Sequence, residues 1–375
     1  MKTTLEQTEA HTSLLIGETQ RREVRAGGRR RIPFIAGLII VCSFYATAIF
    51  ADFLAPYDYR AQSRREPLAP PAAIHFADAQ GAWHLRPFIY PKRLVNALER
   101  SYTEDTERSY PLALFTHGYS YKFLGLVNTD IHLWGTGVRG QANTPLAHLL
   151  GTDALGRDRL SRLLVATRFS LLVAPLGVLL ASLLGIFLGC IAGYARRTLD
   201  AVLMRAADVM MALPTLILIL AARAAFPLEL PPVRAAVLLV MIFVAVGWAE
   251  MARLTRGLVM ALRRREFVLA AESIGLSQQR VLFRHILPNA APPLIVQMSL
   301  MLPAFLLSET ALSFLGVGLQ EPEASLGNML AAATDITLLR SHTFVLLAPA
   351  FVIFTFVLGV RLLSGGLKSR SERRD

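Results

Sequence analysis

Blocks of about 20 consecutive apolar residues recur along this chain, and nothing else in it limits the fold as much. A helix of that length crosses the hydrocarbon core of a bilayer. In that medium every backbone N–H and C=O must find a partner inside the protein, which leaves helices or closed barrels. The first block is roughly Pro33 to Phe53, "PFIAGLIIVCSFYATAIFADF". Four more fall at about Phe169–Tyr194, Ala201–Ala224, Ala235–Arg256 and Ala290–Leu315, and a last at about Thr343–Leu363. The expectation is an all-α polytopic membrane protein with six transmembrane helices. Composition agrees, since 54% of the 375 residues are hydrophobic and the mean hydropathy is +0.45, above the usual apolar share of a soluble protein. Cys42 and Cys190, the only cysteines, both lie inside apolar blocks, so neither a disulfide nor a thiolate metal site is expected.

The formal net charge of +12 does not point to nucleic acid, because the basic residues sit in tails and short loops beside apolar runs. That placement sets membrane orientation. Arg21, Arg22, Arg25 and Arg29 to Arg31 precede the first block. Arg196 and Arg197 follow the second, Arg256 and Arg263 to Arg265 follow the fourth, and the chain ends "LKSRSERRD". With six crossings all four clusters fall on one side, which places both termini in the cytoplasm. The region after the first block is basic too, but loops beyond about 60 residues translocate largely regardless of charge. The first block is longer than a signal h-region and lacks a clear small-residue cleavage site, so it reads as a retained anchor. The resulting organisation is a cytoplasmic basic tail at 1–33, a first span at 34–54, and an extracytoplasmic insertion at 55–146. A membrane core follows at 147–365, with a cytoplasmic loop at about 258–289, and then a basic tail at 366–375. Within the insertion "LFTHGYSYKFLGLV" alternates loosely. With Trp83, Phe88, Tyr90, Tyr119, Tyr121 and Trp134 it could build a small β-rich domain.

One stretch of the cytoplasmic loop, "AAESIGLSQQRVLFRHILPN" (Ala270–Asn289), is polar and jointed among greasy neighbours. Phe267, Ala270, Ala271 and Ile274 follow a helical stripe, and Gly275 suits a left-handed C-cap. Ser277 can start a second short helix containing Val281, Leu282 and His285, which Pro288 would end, turning the chain into the next span. Two short helices with a sharp joint would make a compact knob. The alternative is an amphipathic hairpin lying on lipid headgroups.

On these residues the chain resembles the permease subunits of bacterial ABC importers, within them the oligopeptide/dipeptide (peptide/nickel) branch. The signature of that superfamily is Glu-Ala-Ala, three residues, Gly, nine residues, a hydrophobic or His position, one residue, then Leu-Pro. Ala270, Ala271, Gly275, His285, Leu287 and Pro288 fall at those intervals, and Asn289 follows as in the peptide branch. Leu269 stands in the Glu slot, with Glu272 one turn later on the same face. "LGTDALGRDRLSRLL" (Leu150–Leu164) matches the segment that leads into the second span, with Gly151, Thr152, Asp153, Gly156, Arg157 and Asp158 as its periplasmic lead-in motif. "RAADVMMALPTLIL", "GWAEMARLTRG" and "ETALSFLGVGLQEPEASLGNML" match in order, Leu326 replacing the usual Trp.

The resemblance implies a type I ABC importer-like permease at the bacterial inner membrane. It would pair with a sister permease as a heterodimer, take peptides or similar small solutes from an extracytoplasmic binding protein, and couple to two ATP-binding subunits. Ala270, Ala271, Glu272, Gly275, His285, Pro288 and Asn289 would make the coupling contact. A nickel chelate or another small solute is an alternative cargo. Asp208 and Glu309, ionisable groups at membrane depth, are candidates for a translocation path or a helix junction. Structural pairing, of Asp208 with Arg205 or of Glu309 with neighbouring backbone, is the plainer account.

No phosphate-cradling Gly-x-x-x-x-Gly-Lys-Ser/Thr loop, nucleophile elbow or His-Glu-x-x-His occurs. No catalytic residue, cofactor or metal is therefore expected on this chain, and ATP is expected on partner subunits. His75, His84, His117, His132 and His148 lie in the insertion region at spacings that match no compact ligand motif. A membrane-embedded enzyme or scaffold using the outer region is the rival reading, and a secondary transporter would need matching interrupted halves, which are not seen.

Overall fold

The computed structural model describes residues 32–96, 100–123, 125–136, 146–335 and 346–371. Five helices are long and apolar enough to cross a membrane, or up to six if one bent pair counts as a single span. The first, α1 (Ile32–Ile49), is followed by the short α2 (Ala51–Leu54). Seven strands come next: β1 (His75–Ala77), β2 (Trp83–Ile89), β3 (Lys92–Asn96), β4 (Ser101–Glu104), β5 (Tyr110–Pro111), β6 (Ala113–Phe123) and β7 (Val127–Gly135). The chain is therefore not all-α. The remaining long elements are α3 (Arg159–Tyr194), α4 (Arg197–Ala212), α5 (Thr215–Ala224) and α6 (Pro232–Leu262). They are followed by α7 (Glu266–Ser273), α8 (Gln278–Val281), α9 (Leu287–Phe314), α10 (Leu326–Ala331) and α11 (Ala348–Ser371).

The centre of the core is the pairing of α3 with α6. Gly177 packs on Phe243, Gly185 on Met251, Gly189 on Thr255 and Gly193 on Val259, so the two helices run parallel. A β-carbon on Gly185 or Gly189 would come within 2.6 Å of α6 backbone or side-chain atoms. Small residues are what let membrane helices approach this closely, where lipid supplies no hydrophobic drive between them. Because α3 and α6 are parallel, residues 195–231 must carry the chain back along their length. The bent pair α4–α5 does this, with a 90° break.

The single span expected over Ala201–Ala224 is thus broken. Pro214 lacks the N–H a helix needs and forces Leu213 into extended backbone (φ −98°, ψ 142°). At the far end of α5 the buried Arg223 caps the chain, donating to the carbonyls of Phe226 (3.2 Å), Pro227 (3.0 Å) and Leu228 (3.1 Å).

The helix α9 runs antiparallel to α3. Met301 meets Ser182 and Glu309 meets Ser170, while Leu287 lies near Cys190. Likewise α1 and α11 are antiparallel, since Gly366 packs on Phe34, Gly37 on Leu363 and Gly359 on Ile40. Two ends of the bundle result. One holds the start of α3, the end of α1 and the strands. The other holds the end of α3, the start of α9, the start of α1 and the end of α11. The last helix continues to Ser371, past the boundary expected for a tail at 366. The tail at 1–31, the segment 336–345 with Thr343, and residues 372–375 lie outside the described residues.

The strands form three small antiparallel sheets, β1-β2-β5, β3-β4 and β6-β7. His132 fastens the β6–β7 hairpin to the bundle, its ring nitrogens hydrogen-bonding the carbonyls of Asp52 (2.9 Å) and Tyr119 (3.0 Å). Phe88, Tyr90 and Tyr121 are buried, but Trp83 is 84% exposed and contributes nothing to a core.

Candidate functional site

The polar loop at the C-terminal end of α3 folds as a knob. Helix α7 ends in a Schellman motif, in which the Leu276 N–H donates to the Ala271 carbonyl (3.2 Å) and the Gly275 N–H to that of Glu272 (3.0 Å). Gly275 adopts φ +86° with open space where a β-carbon would stand, so the demand for glycine is set by the backbone alone. Val268, Ala271, Val281 and Ile286 form a small core with Cys190 and Val259, which roots the knob on α3 and α6. Arg263 reinforces that root, donating to the Gly193 carbonyl (3.0 Å) while its guanidinium stacks on Tyr194 at 4.3 Å.

Of the stripe Phe267, Ala270, Ala271, Ile274 only Ala271 is buried, and Ile274 is 79% exposed. The buried line is Val268 and Ala271, completed by Leu276. Leu269, Ala270, Glu272 and Ile274 point away from the bundle. One expectation about this knob needs correcting: Pro288 does not end a helix, because Gln278–Phe314 is continuous. A π-helical turn at Leu282–Ile286 widens the helix just before the proline, whose ring would otherwise crowd the preceding turn. Asn289 steadies this stretch, its side-chain amide donating to the His285 carbonyl (2.6 Å). Ser277 occupies the N-cap position of α8 without a side-chain cap bond.

At the opposite end of α3, about 54 Å away along a 36-residue helix, the lead-in motif forms a buried polar latch. Gly151 (φ +68°) and Gly156 (φ +75°) turn against the backbone of Ala69 and Ser63 so closely that no β-carbon fits. The Thr152 hydroxyl donates to the Glu66 carbonyl and accepts from the Ala69 N–H (2.8 Å). Asp153 accepts from the N–H of Leu155 (2.9 Å) and Arg157 (3.0 Å) and from Arg157 Nε (2.6 Å). Asp158 caps α3 by accepting from the Ser161 N–H (2.7 Å), with its other oxygen on His148 Nδ1 (2.8 Å). Glu321, from the loop after α9, accepts from Arg157 and from Arg162 (2.9 Å). Sequence reasoning missed Glu66, His148, Arg162 and Glu321 as members of this network. Arg162 and Glu321 are 159 residues apart, and no local pattern announces such a pair.

Burial pulls the His148 pKa down, but hydrogen bonds to Asp158 and Glu66 (3.3 Å) outweigh it and hold the pKa at about 9. A raised folded-state pKa adds stability that is fully present below the ordinary value of 6.5 and lost as pH rises through about 9. We therefore expect the latch to loosen between pH 6.5 and 9, by up to about 3 kcal/mol. Amide exchange of residues 147–162 should accelerate over that window, and a His148→Gln variant should show no such step.

Glu309 is fully buried and accepts from Ser170 (2.6 Å) and Ser313 (3.0 Å), so it joins α3 to α9 through serine side chains and not through neighbouring backbone. Asp208 pairs with Arg253 of α6 (3.1 Å) instead of Arg205, both side chains being half exposed. The remaining histidines of the strand region each have a partner, His75 on Glu104, His84 on Asp78 and His117 on Asp130. Among the described residues no group of three His, Cys, Asp or Glu is arranged to hold a metal.

Comparison with known proteins fits this geometry. Residues 185–373 match the family "binding-protein-dependent transport system inner membrane component", and residues 22–71 match the "N-terminal TM domain of oligopeptide transport permease C". The chain is 33% identical over 221 residues to the oligopeptide transport system permease protein OppC of Bacillus subtilis, covering 59% of this chain and 70% of that one. It is 34% identical over 236 residues to OppC of Mycobacterium bovis (60% and 78%). With the dipeptide transport system permease protein DppC of Alkalihalophilus pseudofirmus the identity is 36% over 221 residues (59% and 70%). With long apolar helices at its centre and a jointed knob at one end of them, the chain belongs to the binding-protein-dependent transport system inner membrane component family, as a multi-pass permease subunit of an ABC importer and not an enzyme.

Proposed function

We propose that this chain, with a sister permease, forms the path by which peptides or similar small solutes cross the inner membrane, and that it takes up the work of two ATP-binding subunits through α7. The knob supports this reading most directly. It is rooted in α3 and α6 yet turns Leu269, Ala270 and Ile274 to the outside, and exposed apolar side chains grouped on a projecting element mark a docking surface. Ala270, Glu272, Gly275, His285, Pro288 and Asn289 act in this account as the contact and its support, with Ala271 as the anchor. Glu272 stands one turn from Leu269 on the exposed side and serves in place of the missing Glu.

Orientation follows from charge. The knob end carries Arg196, Arg197 and Arg263 to Arg265, and the sequence adds basic tails at the same end, so that end is cytoplasmic. The strands and the lead-in latch then face outward, where the insertion at 55–146 meets an extracytoplasmic solute-binding protein. Peptide cargo is supported by the relatives, which are oligopeptide and dipeptide permeases. Glu309, sealed between α3 and α9, is a helix junction. Asp208 lies on α4, whose face away from α6 is exposed over most of its length, and that face is where we place the sister permease.

Extraction from native membranes in mild detergent tests the assembly. An importer subunit brings down ATP-binding chains and a second permease. Recovery of this chain alone, from cells making all its neighbours, would refute the proposal.

A further inference from the structure

Where the last turns of α3 pass the second half of the knob, they leave a groove of about 410 Å³. Leu183, Phe187 and Tyr194 form one wall, and Gln279, Leu282 and Phe283 the other. Cys190, part of the small core that roots the knob, lies between them. Phe187 is 62% exposed and Phe283 68% exposed, so both rims are open to whatever surrounds the bundle. From Leu183 to Tyr194 the groove follows α3 for about 16 Å. That is half of a hydrocarbon core of ~30 Å, the depth of one leaflet.

Arginines stand at the end of this groove. The α3 wall stops at Tyr194 and is followed by Arg196 and Arg197, while Arg280 and Arg284 stand one position beyond Gln279 and Phe283 on the other wall. All four are exposed. The acids of α4 are committed elsewhere, Asp200 to Arg256 and Asp208 to Arg253. Glu272 and Arg263 both lie near Tyr194 and offset each other, so the four arginines leave this end positive. Tyr194 sits where the apolar wall meets those charges. Its hydroxyl is sealed from solvent and has no hydrogen-bond partner among the described residues. Such a group is costly to leave unpaired, and an acceptor oxygen at this point would relieve it.

We infer that the groove holds one anionic phospholipid, with an acyl chain between α3 and the π turn and its phosphate among Arg196, Arg197, Arg280 and Arg284. The apolar walls favour burial of a chain, and exposed arginines beside a span favour an anionic headgroup. An apolar slot one leaflet deep that turns basic only at its end is laid out as a lipid is, which argues for lipid over a protein segment. Naming the cytoplasmic leaflet rests on the orientation proposed above; the site itself does not.

Native mass spectrometry of the chain purified with its partners and delipidated decides the matter. The probes are phosphatidylglycerol, phosphatidylcholine with the same acyl chains, and chain-free glycerol phosphate. Partner subunits bring lipid sites of their own, so the site in question is the one that Ile191→Trp, which fills the groove, should remove. At that site phosphatidylglycerol should bind at least about tenfold more tightly than phosphatidylcholine, and glycerol phosphate not at all. Arg280→Gln combined with Arg284→Gln, two surface changes that leave the groove intact, should reduce that preference at least about fivefold. Leu172→Trp, on the same helix but outside the groove and 63% exposed, should bind as wild type does. Equal binding of the two lipids, glycerol phosphate bound as tightly as lipid, or full phosphatidylglycerol binding in Ile191→Trp would overturn the inference. So would an unchanged preference in the double arginine variant, or an assembled importer lacking the site because a partner subunit covers the groove.

Discussion

Gly275→Pro should leave the chain in the membrane and abolish the stimulation of ATP hydrolysis by transported substrate in the assembled importer. Proline fixes φ near −65° and carries no N–H, whereas position 275 needs φ +86° and donates to the Glu272 carbonyl. The substitution dismantles the Schellman motif and re-aims α7 relative to α8. It leaves α3, α6 and α9 untouched, because open space surrounds Gly275. The expected outcome is normal insertion, normal recovery of the complex and loss of at least about tenfold in stimulated turnover, on the order of 1.4 kcal/mol of coupling. Gly275→Ala, strained by about 1 kcal/mol but still able to donate, should fall between. Normal stimulated hydrolysis in the proline variant would remove α7 as the coupling element.

A second large effect is expected inside the bundle. Gly189→Leu places a side chain where a β-carbon alone would meet the Ala252 carbonyl oxygen at 2.5 Å and Thr255 Cβ at 2.6 Å. The obstacle is partly backbone, so no rotamer relieves it and the two helices must separate. Overpacking of a tight contact costs about 1–3 kcal/mol even where side chains can yield, and here we expect the upper end or more. Gly257, on the facing helix but with nothing within 4 Å of its β-carbon position, is the matched control. Gly257→Leu in the isolated chain should stay within about 0.5 kcal/mol of wild type. Thermal unfolding of both variants in detergent measures the difference, and equal midpoints would mean that close approach of α3 and α6 does not hold the bundle together.

Much of this fold was legible in the sequence because a bilayer permits so few solutions. Apolar length gave the helices at 33–53 and 235–256 in substance, although α6 runs to Leu262, and of the block at 343–363 the described part falls in α11, which runs on to Ser371. The helix α3 begins ten residues before Phe169, because Arg159, Arg162 and Arg168 hide its first turns from any hydropathy window while being buried or ion-paired in the fold. The joint at Gly275 was readable from local chemistry alone. Which side of α7 is buried was not legible from its helical stripe. The core took Val268 and Ala271, since the knob packs on α3 and α6 through its short side and leaves larger residues outside. Pro288 read as a stop, but a π turn absorbed it.

By itself, then, the order of residues determined that this chain carries several membrane-length apolar helices and that a glycine-jointed element interrupts them. Those are local properties, of transfer free energy over some 20 residues and of allowed backbone angles at one. Only tertiary structure decided that α3 and α6 run parallel at glycine distance and that Glu309 is sealed by two serines. It alone brought Arg157, Arg159 and Arg162 together with Glu321 from more than 150 residues away. Each of those depends on which surfaces meet, and the energy of such a contact belongs to the pair and not to either segment.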